Sequence, residues 1–133
     1  MTRLAAILMC VSLVGCVAAR SVDSLTVELG ADVTLAPGQA VSVKTTPITV
    51  RFVAVTEDSR CPRDVTCIWA GEVKVALAIL PSQAEPQVEI LEGGSTVAGV
   101  YRVTLVRVEP LPTSTAKIAP QDYRATLKID RTG

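Results

Sequence analysis

Histidine is absent from this 133-residue chain, and its absence removes the commonest general base and the commonest metal ligand of proteins. It also removes the Ser-His and Cys-His pairs that activate most protein nucleophiles. Charge of neither sign is in excess, because 13 Lys and Arg balance 13 Asp and Glu, so no basic field points to nucleic acid. We therefore expect no cofactor, no metal ion and no nucleic-acid partner.

The first fifteen residues are typical of an export signal. Met1-Thr2-Arg3 supplies a short positive start, and Leu4 to Val14 is an apolar run too short to span a bilayer as a mature helix. The run ends in Leu13-Val14-Gly15-Cys16, which resembles the lipobox of bacterial lipoproteins. This resemblance implies cleavage before Cys16 and acylation of that cysteine. Ordinary secretion, with cleavage near Val17-Ala18-Ala19, is the alternative.

The lipobox resemblance implies three segments: a lipoprotein signal peptide at 1–15, a lipidated tether at 16–24 and a single β domain at 25–133. Acyl chains on Cys16 would hold the protein on a membrane, since each buried methylene contributes about 0.8 kcal/mol. Val17 follows the cysteine where an aspartate would favour inner-membrane retention. The expected location is therefore the bacterial cell envelope, at the outer membrane and facing the periplasm.

Apolar and polar residues alternate through most of the chain after the signal, with the period of two that is typical of half-buried strands. Leu105 and Val106 are adjacent where the apolar face changes sides, which predicts a β-bulge or a strand that moves between sheets. Pro120 to Tyr123 resembles the tyrosine corner of immunoglobulin-like domains, and an ordinary half-buried tyrosine is the alternative. The sequence predicts an all-β fold: an antiparallel immunoglobulin-like sandwich or small barrel of seven to eight strands.

The densest run of charge lies in residues 57–72, which we call the cysteine loop. Cys61 and Cys67 are the only cysteines beyond the lipobox, and an even pair in an oxidising compartment predicts a disulfide. Two thiolates cannot complete a tetrahedral zinc site without histidine or further cysteines. A redox-active pair would favour two intervening residues beside a helix, whereas five intervene here.

The cysteine loop also carries a longer pattern, Asp58-Ser59-Arg60-Cys61-Pro62 followed by Cys67-Ile68-Trp69-Ala70-Gly71. It is similar to a pattern of small secreted or lipid-anchored bacterial proteins of uncharacterised function. The resemblance implies a β-rich extracytoplasmic domain and brings no activity and no catalytic residues with it.

Five side chains of the cysteine loop are candidates for binding a partner, and they are Asp58, Arg60, Arg63, Trp69 and Glu72. A tryptophan beside a cysteine pair most often packs on the disulfide, and we expect that of Trp69. If it were exposed, it would be an anchor for a partner or a sugar ring. The carboxylates match no calcium-loop spacing, so we expect them to be solvated or paired with the arginines.

Three hypotheses of function follow. The first is a non-catalytic binding or structural module of the envelope, with the cysteine loop as contact surface and an envelope protein or glycan as partner. The second is a protease inhibitor that presents Arg63 within the Cys61–Cys67 ring. The third is a hydrolase that pairs Asp58 with another carboxylate, the choices being Glu57, Asp64 and Glu72.

Overall fold

The computed structural model describes residues 24–81 and 87–133, so the predicted signal peptide and the predicted tether up to residue 23 lie outside the described residues. The all-β prediction is confirmed. The described residues form nine strands, rather than seven to eight, and one short 3-10 helix at Pro120–Asp122. The strands are β1 Ser24–Val27, β2 Asp32–Leu35, β3 Ala40–Val43, β4 Thr49–Asp58, β5 Val73–Leu80, β6 Val88–Leu91, β7 Ser95–Ala98, β8 Tyr101–Glu109 and β9 Arg124–Arg131.

Two sheets form a sandwich. The first has the order β1-β3-β4-β5-β6, and the second has the order β2-β9-β8-β7. Every described strand pair is antiparallel except β1 with β3, which is parallel. The β4–β5 connection, which is the cysteine loop, and the chain between β8 and β9 leave the sandwich at the same end. We call this end the loop end.

A largely aliphatic core joins the two sheets. Its largest fully buried side chains come from both sheets, and they are Phe52, Leu35, Leu77, Leu105 and Leu127. Inward positions alternate along β9, where Ala125, Leu127 and Ile129 are buried. Burying such side chains contributes about 1.5–3 kcal/mol each, and this burial holds the sheets face to face.

The predicted bulge in β8 is confirmed, because the register with β9 shifts between Leu105 and Arg107. Val106 is the extra residue, and its side chain is substantially exposed. The sequence did not predict β7, whose four residues alternate in exposure but carry no repeated apolar face. β7 lies at the edge of its sheet and pairs with β8. Its backbone pairing with β8, rather than a buried apolar face, makes it a strand.

The β4–β5 ladder continues into the cysteine loop beyond the ends of both strands. The amide N–H of Ser59 donates to the Glu72 carbonyl at 2.8 Å, and that of Cys61 donates to the Ala70 carbonyl at 2.8 Å. Gly71 lies between these two bonds with φ +71, and a Cβ there would sit 1.9 Å from the Ser59 carbonyl oxygen. Glycine is required at this position, both for the backbone conformation and for the close approach of the two chains.

Gly71→Ala is expected to lower the free energy of unfolding by about 2–4 kcal/mol, since it combines left-handed strain with a backbone clash. Gly38→Ala is the matched control, because Gly38 has φ +87 and nothing within 4 Å of the added Cβ. It should cost only the conformational part, about 1–2 kcal/mol. Urea unfolding followed by far-UV circular dichroism measures both. Equal losses in the two variants would contradict the close approach.

Candidate functional site

The cysteine loop is closed by the predicted disulfide. Cys61 and Cys67 are bonded, with their Cα atoms 5.9 Å apart. Ring closure over so few residues contributes about 2 kcal/mol on the chain-entropy model. The loop begins at Ser59 rather than at residue 57, because β4 runs on to Asp58. The hydrogen bonds of the extended ladder and the disulfide ring both restrain the loop.

Arg60 is the internal support of this loop. Its Nε and Nη2 donate to Oδ1 and Oδ2 of Asp58 at 2.8 and 2.7 Å, which is a bidentate pair. Its Nη1 donates to the Val108 carbonyl at 2.7 Å, and its Nη2 also donates to the Pro110 carbonyl at 3.1 Å. The Arg60 and Asp58 side chains are only 8% and 11% exposed. Both were candidates for binding a partner, and both are occupied within the protein.

Tyr123 completes this cluster from the second sheet. Its hydroxyl donates to Asp58 Oδ2 at 3.0 Å, instead of to the upstream backbone as in a tyrosine corner. We call Asp58, Arg60 and Tyr123 the arginine cluster. Burial alone would raise the pKa of the Asp58 carboxyl, but the hydrogen bonds from Arg60 and Tyr123 outweigh burial and lower that pKa. The hydrogen bond to Asp58 in turn raises the pKa of Arg60, so both groups stay charged.

A second set of contacts joins the loop to the segment after β8. The Arg63 amide N–H donates to the Pro112 carbonyl at 3.0 Å, while the Arg63 side chain remains exposed. The Asp64 carboxylate accepts hydrogen bonds from both the hydroxyl and the amide of Ser114. The side-chain bond from Ser114 is the main cause that lowers the pKa of Asp64. The sequence offered no signal for Ser114, which lies fifty residues away.

The remaining carboxylates of the loop share one lysine. Lys74 Nζ lies 2.8 Å from Glu57 and 3.4 Å from Glu72, and the bonds to these two raise its pKa. Glu72 therefore has an ion-pair partner on β5. In each pair of the hydrolase hypothesis, both carboxylates have hydrogen-bond or ion-pair partners within the protein: Asp58 contacts Arg60 and Tyr123, Asp64 contacts Ser114, and Glu57 and Glu72 contact Lys74.

Trp69 was expected to pack on the disulfide, and this expectation is wrong. Its side chain is 69% exposed, and the neighbouring Ile68 is fully exposed. The loop projects past the ends of both sheets, so neither sheet offers it an apolar surface there. We call Ile68 and Trp69 the loop tip. Val65, inside the disulfide ring, is also 46% exposed. Ile68 is not among the candidates that the sequence indicates, although its place next to Trp69 is a signal for it.

An open groove of about 400 Å³ lies beside the arginine cluster at the loop end. Its lining is mixed in polarity and includes Glu57, Asp58, Pro112, Lys117 and Tyr123. This groove is open to solvent and is not an enclosed cavity.

Within residues 24–81 and 87–133 no three potential metal ligands come together. The same residues contain no helix with the length and apolarity needed to cross a membrane.

Comparison with protein-family models, with curated proteins and with solved structures gave no match for this chain. The geometry of the cysteine loop separates the candidate residues into two groups. Asp58, Arg60 and Glu72 are paired within the protein, whereas the side chains of Arg63 and Trp69 are exposed to solvent.

Arg60→Lys is expected to lower the free energy of unfolding by about 2–3 kcal/mol, because one ammonium cannot replace a planar fork that reaches a carboxylate and two carbonyls. Arg63→Lys is the matched control in the same loop, where the side chain is exposed, and should change stability by less than about 0.5 kcal/mol. Urea unfolding measures both. A small effect at Arg60 would show that its contacts do not support the fold.

Tyr123 should titrate abnormally. Burial, followed by the hydrogen bond to Asp58, raises the pKa of its hydroxyl from 10.0 to about 12. The folded pKa exceeds the unfolded one, so this contribution to stability is complete below pH 10 and is lost as the pH rises from about 10 to about 12. Absorbance titration of phenolate should show a step near pH 12 that Tyr123→Phe removes. Survival of the step near pH 12 in this variant would contradict the assignment to Tyr123.

Proposed function

We propose that this protein is a non-catalytic, lipid-anchored binding module of the bacterial cell envelope, with the cysteine loop as its contact surface. One observation carries the proposal: the loop is held by a disulfide, an extended ladder and a buried arginine, yet it exposes Ile68 and Trp69. Rigid presentation of an aromatic side chain reduces the entropy lost on binding. Tryptophan is also among the residues that most often dominate binding energy.

The anchor is supported by the lipobox resemblance of Leu13-Val14-Gly15-Cys16 and by its charged and apolar lead-in. The disulfide is compatible with this location, because disulfides form and persist in oxidising compartments such as the periplasm. The proposed location is therefore the outer membrane, with the domain facing the periplasm. The proposal includes no nucleic acid and no cofactor. Its partner is a component of the envelope, a protein or a glycan on the sequence argument.

Protease inhibition through Arg63 is the alternative. The exposed side chain within a disulfide ring favours it. The backbone favours it less, because the Arg63 amide N–H already donates to the Pro112 carbonyl and is not free to pair with a protease. Titration of trypsin separates the two functions. Tight inhibition that Arg63→Ala abolishes would replace our proposal with this alternative, and simple cleavage after Arg63 would remove the alternative.

The anchor and the contact surface are tested separately. Labelled palmitate should enter the wild-type protein and the Cys10→Ser variant but not Cys16→Ser, since only the cysteine of the lipobox is acylated. Absence of label from the wild type would contradict the anchor.

For the contact surface, crosslinking to isolated envelope should fall at least about tenfold in Trp69→Ala, as for a loss above 1.4 kcal/mol at a binding anchor. Leu80→Ala, an exposed apolar change at the opposite end, is the control. Equal losses would remove the loop from the interface.

A further inference from the structure

We infer that the loop tip, Ile68 and Trp69, docks into the surface of the bilayer that carries the lipid anchor. This docking rests on the proposed function, because it assigns a partner to the same loop and uses the same tether. Lipid thus takes the place of the protein or glycan that the sequence suggested. Three features of the structure point to it: the shape of the tip, the direction of β1 and the length of the tether.

The tip is a small apolar projection and not a groove or a flat face. Ile68 is fully exposed, Trp69 is 69% exposed and Val65, in the adjoining ring, is 46% exposed. A stable protein interface usually buries about 1,000 Å² or more in total, which so small an apolar patch does not supply alone. A soft bilayer interface accepts a narrow projection, and tryptophan is enriched at that interface because its ring is apolar with one polar N–H.

The direction of β1 allows the tether to extend toward the loop end. β1 lies parallel to β3, with Ser24 beside Ala40. β3 lies antiparallel to β4, with Ala40 beside Arg51, and β4 runs toward the cysteine loop. β1 therefore runs away from that loop, and its first residue, Ser24, is at the strand end nearer to it. A tether that continued the line of β1 would therefore run toward the loop.

The tether is too short to hold the domain far from the lipid. From Cys16 to Ser24 a fully extended chain reaches at most about 29 Å, at about 3.3–3.6 Å per residue. Ser24 is level with Arg51 of β4, and the stretch from Arg51 to Asp58 spans only five residues of the partner strand β5, so Asp58 lies about 17 Å beyond the level of Ser24. The ladder extends roughly 10 Å further to Cys61, at about 3.3 Å per residue. A domain standing along its strands therefore has its loop within a few Å of the membrane surface when the tether is straight, and on that surface when the tether bends.

Charge near the tip adds little to this contact. Arg63 and Lys117 line a shallow cavity that Asp122 also lines, so the local net charge is small. Asp64, the acidic residue of the disulfide ring, is hydrogen-bonded to Ser114. The apolar side chains therefore account for the docking, and we expect it to depend weakly on salt, unlike binding driven by anionic headgroups.

Trp69 is the only tryptophan of the chain and so reports on its own docking. The acylated protein, purified from membranes, is reconstituted into vesicles of phosphatidylethanolamine and phosphatidylglycerol that contain lipids brominated at the upper acyl carbons. We expect Trp69 to lose roughly half of its emission, because insertion of about 5–10 Å brings the indole to those carbons. In Trp69→Phe/Leu80→Trp the reporter lies at the opposite end and should keep its emission. Trp69→Phe/Val100→Trp replaces it if that variant does not fold.

The outcomes separate the docking from the anchor. Vesicle flotation together with quenching of Trp69 alone supports both. If the protein floats while Trp69 is unquenched, or while both reporters are quenched equally, the docking is wrong and the anchor stands. Protection of Trp69 that requires added peptidoglycan or an envelope protein, without quenching by lipid, likewise overturns the docking in favour of that partner. If the protein does not float, the anchor fails and the docking fails with it.

Discussion

The loop end of this protein depends on one buried ion pair, between Arg60 and Asp58. The pair alone would join only neighbouring residues of β4 and the cysteine loop. Arg60 has donors left after its bidentate contact, and these reach the carbonyls of Val108 and Pro110 at the end of β8. Tyr123 reaches the same carboxylate from the entrance to β9. The ion pair thus fixes the cysteine loop to the opposite sheet.

A buried ion pair adds little net stability when compared with apolar residues of the same volume, because the cost of desolvation offsets the attraction. Here it has a function that apolar residues could not perform. The two carbonyls beyond β8 need donors, and an aliphatic side chain in place of Arg60 would leave them without these. Orientation of the loop against the second sheet is therefore the main consequence of the pair, and any gain in stability comes second.

The sequence predicted what depends on local pattern. Alternation at Ala125, Leu127 and Ile129 placed β9, the adjacent Leu105 and Val106 placed the bulge, and the cysteine pair predicted the disulfide. The sequence could not predict contacts between residues far apart in the chain. Arg60 and its carbonyl partners are about fifty residues apart, and Asp58 and Tyr123 are 65 apart. Asp58 and Arg60 looked like binding residues because charged side chains in a loop are usually solvated, and the distant partners that bury them leave no signal in the local sequence.

The wrong prediction for Trp69 shows that the residues of the 58–71 motif fall into two groups, one that supports the fold and one that is exposed. Packing of a tryptophan on a disulfide requires an apolar surface beside it, but the ladder carries the Cys61–Cys67 ring beyond both sheets. The inward residues of the motif, Asp58, Arg60 and Gly71, each satisfy a constraint of the fold. Ile68 and Trp69 satisfy none that the described residues show, and exposing them forgoes the stabilisation that burial would provide. The exposure of these two side chains on a loop held by a disulfide and a ladder is the observation on which the proposed contact surface rests.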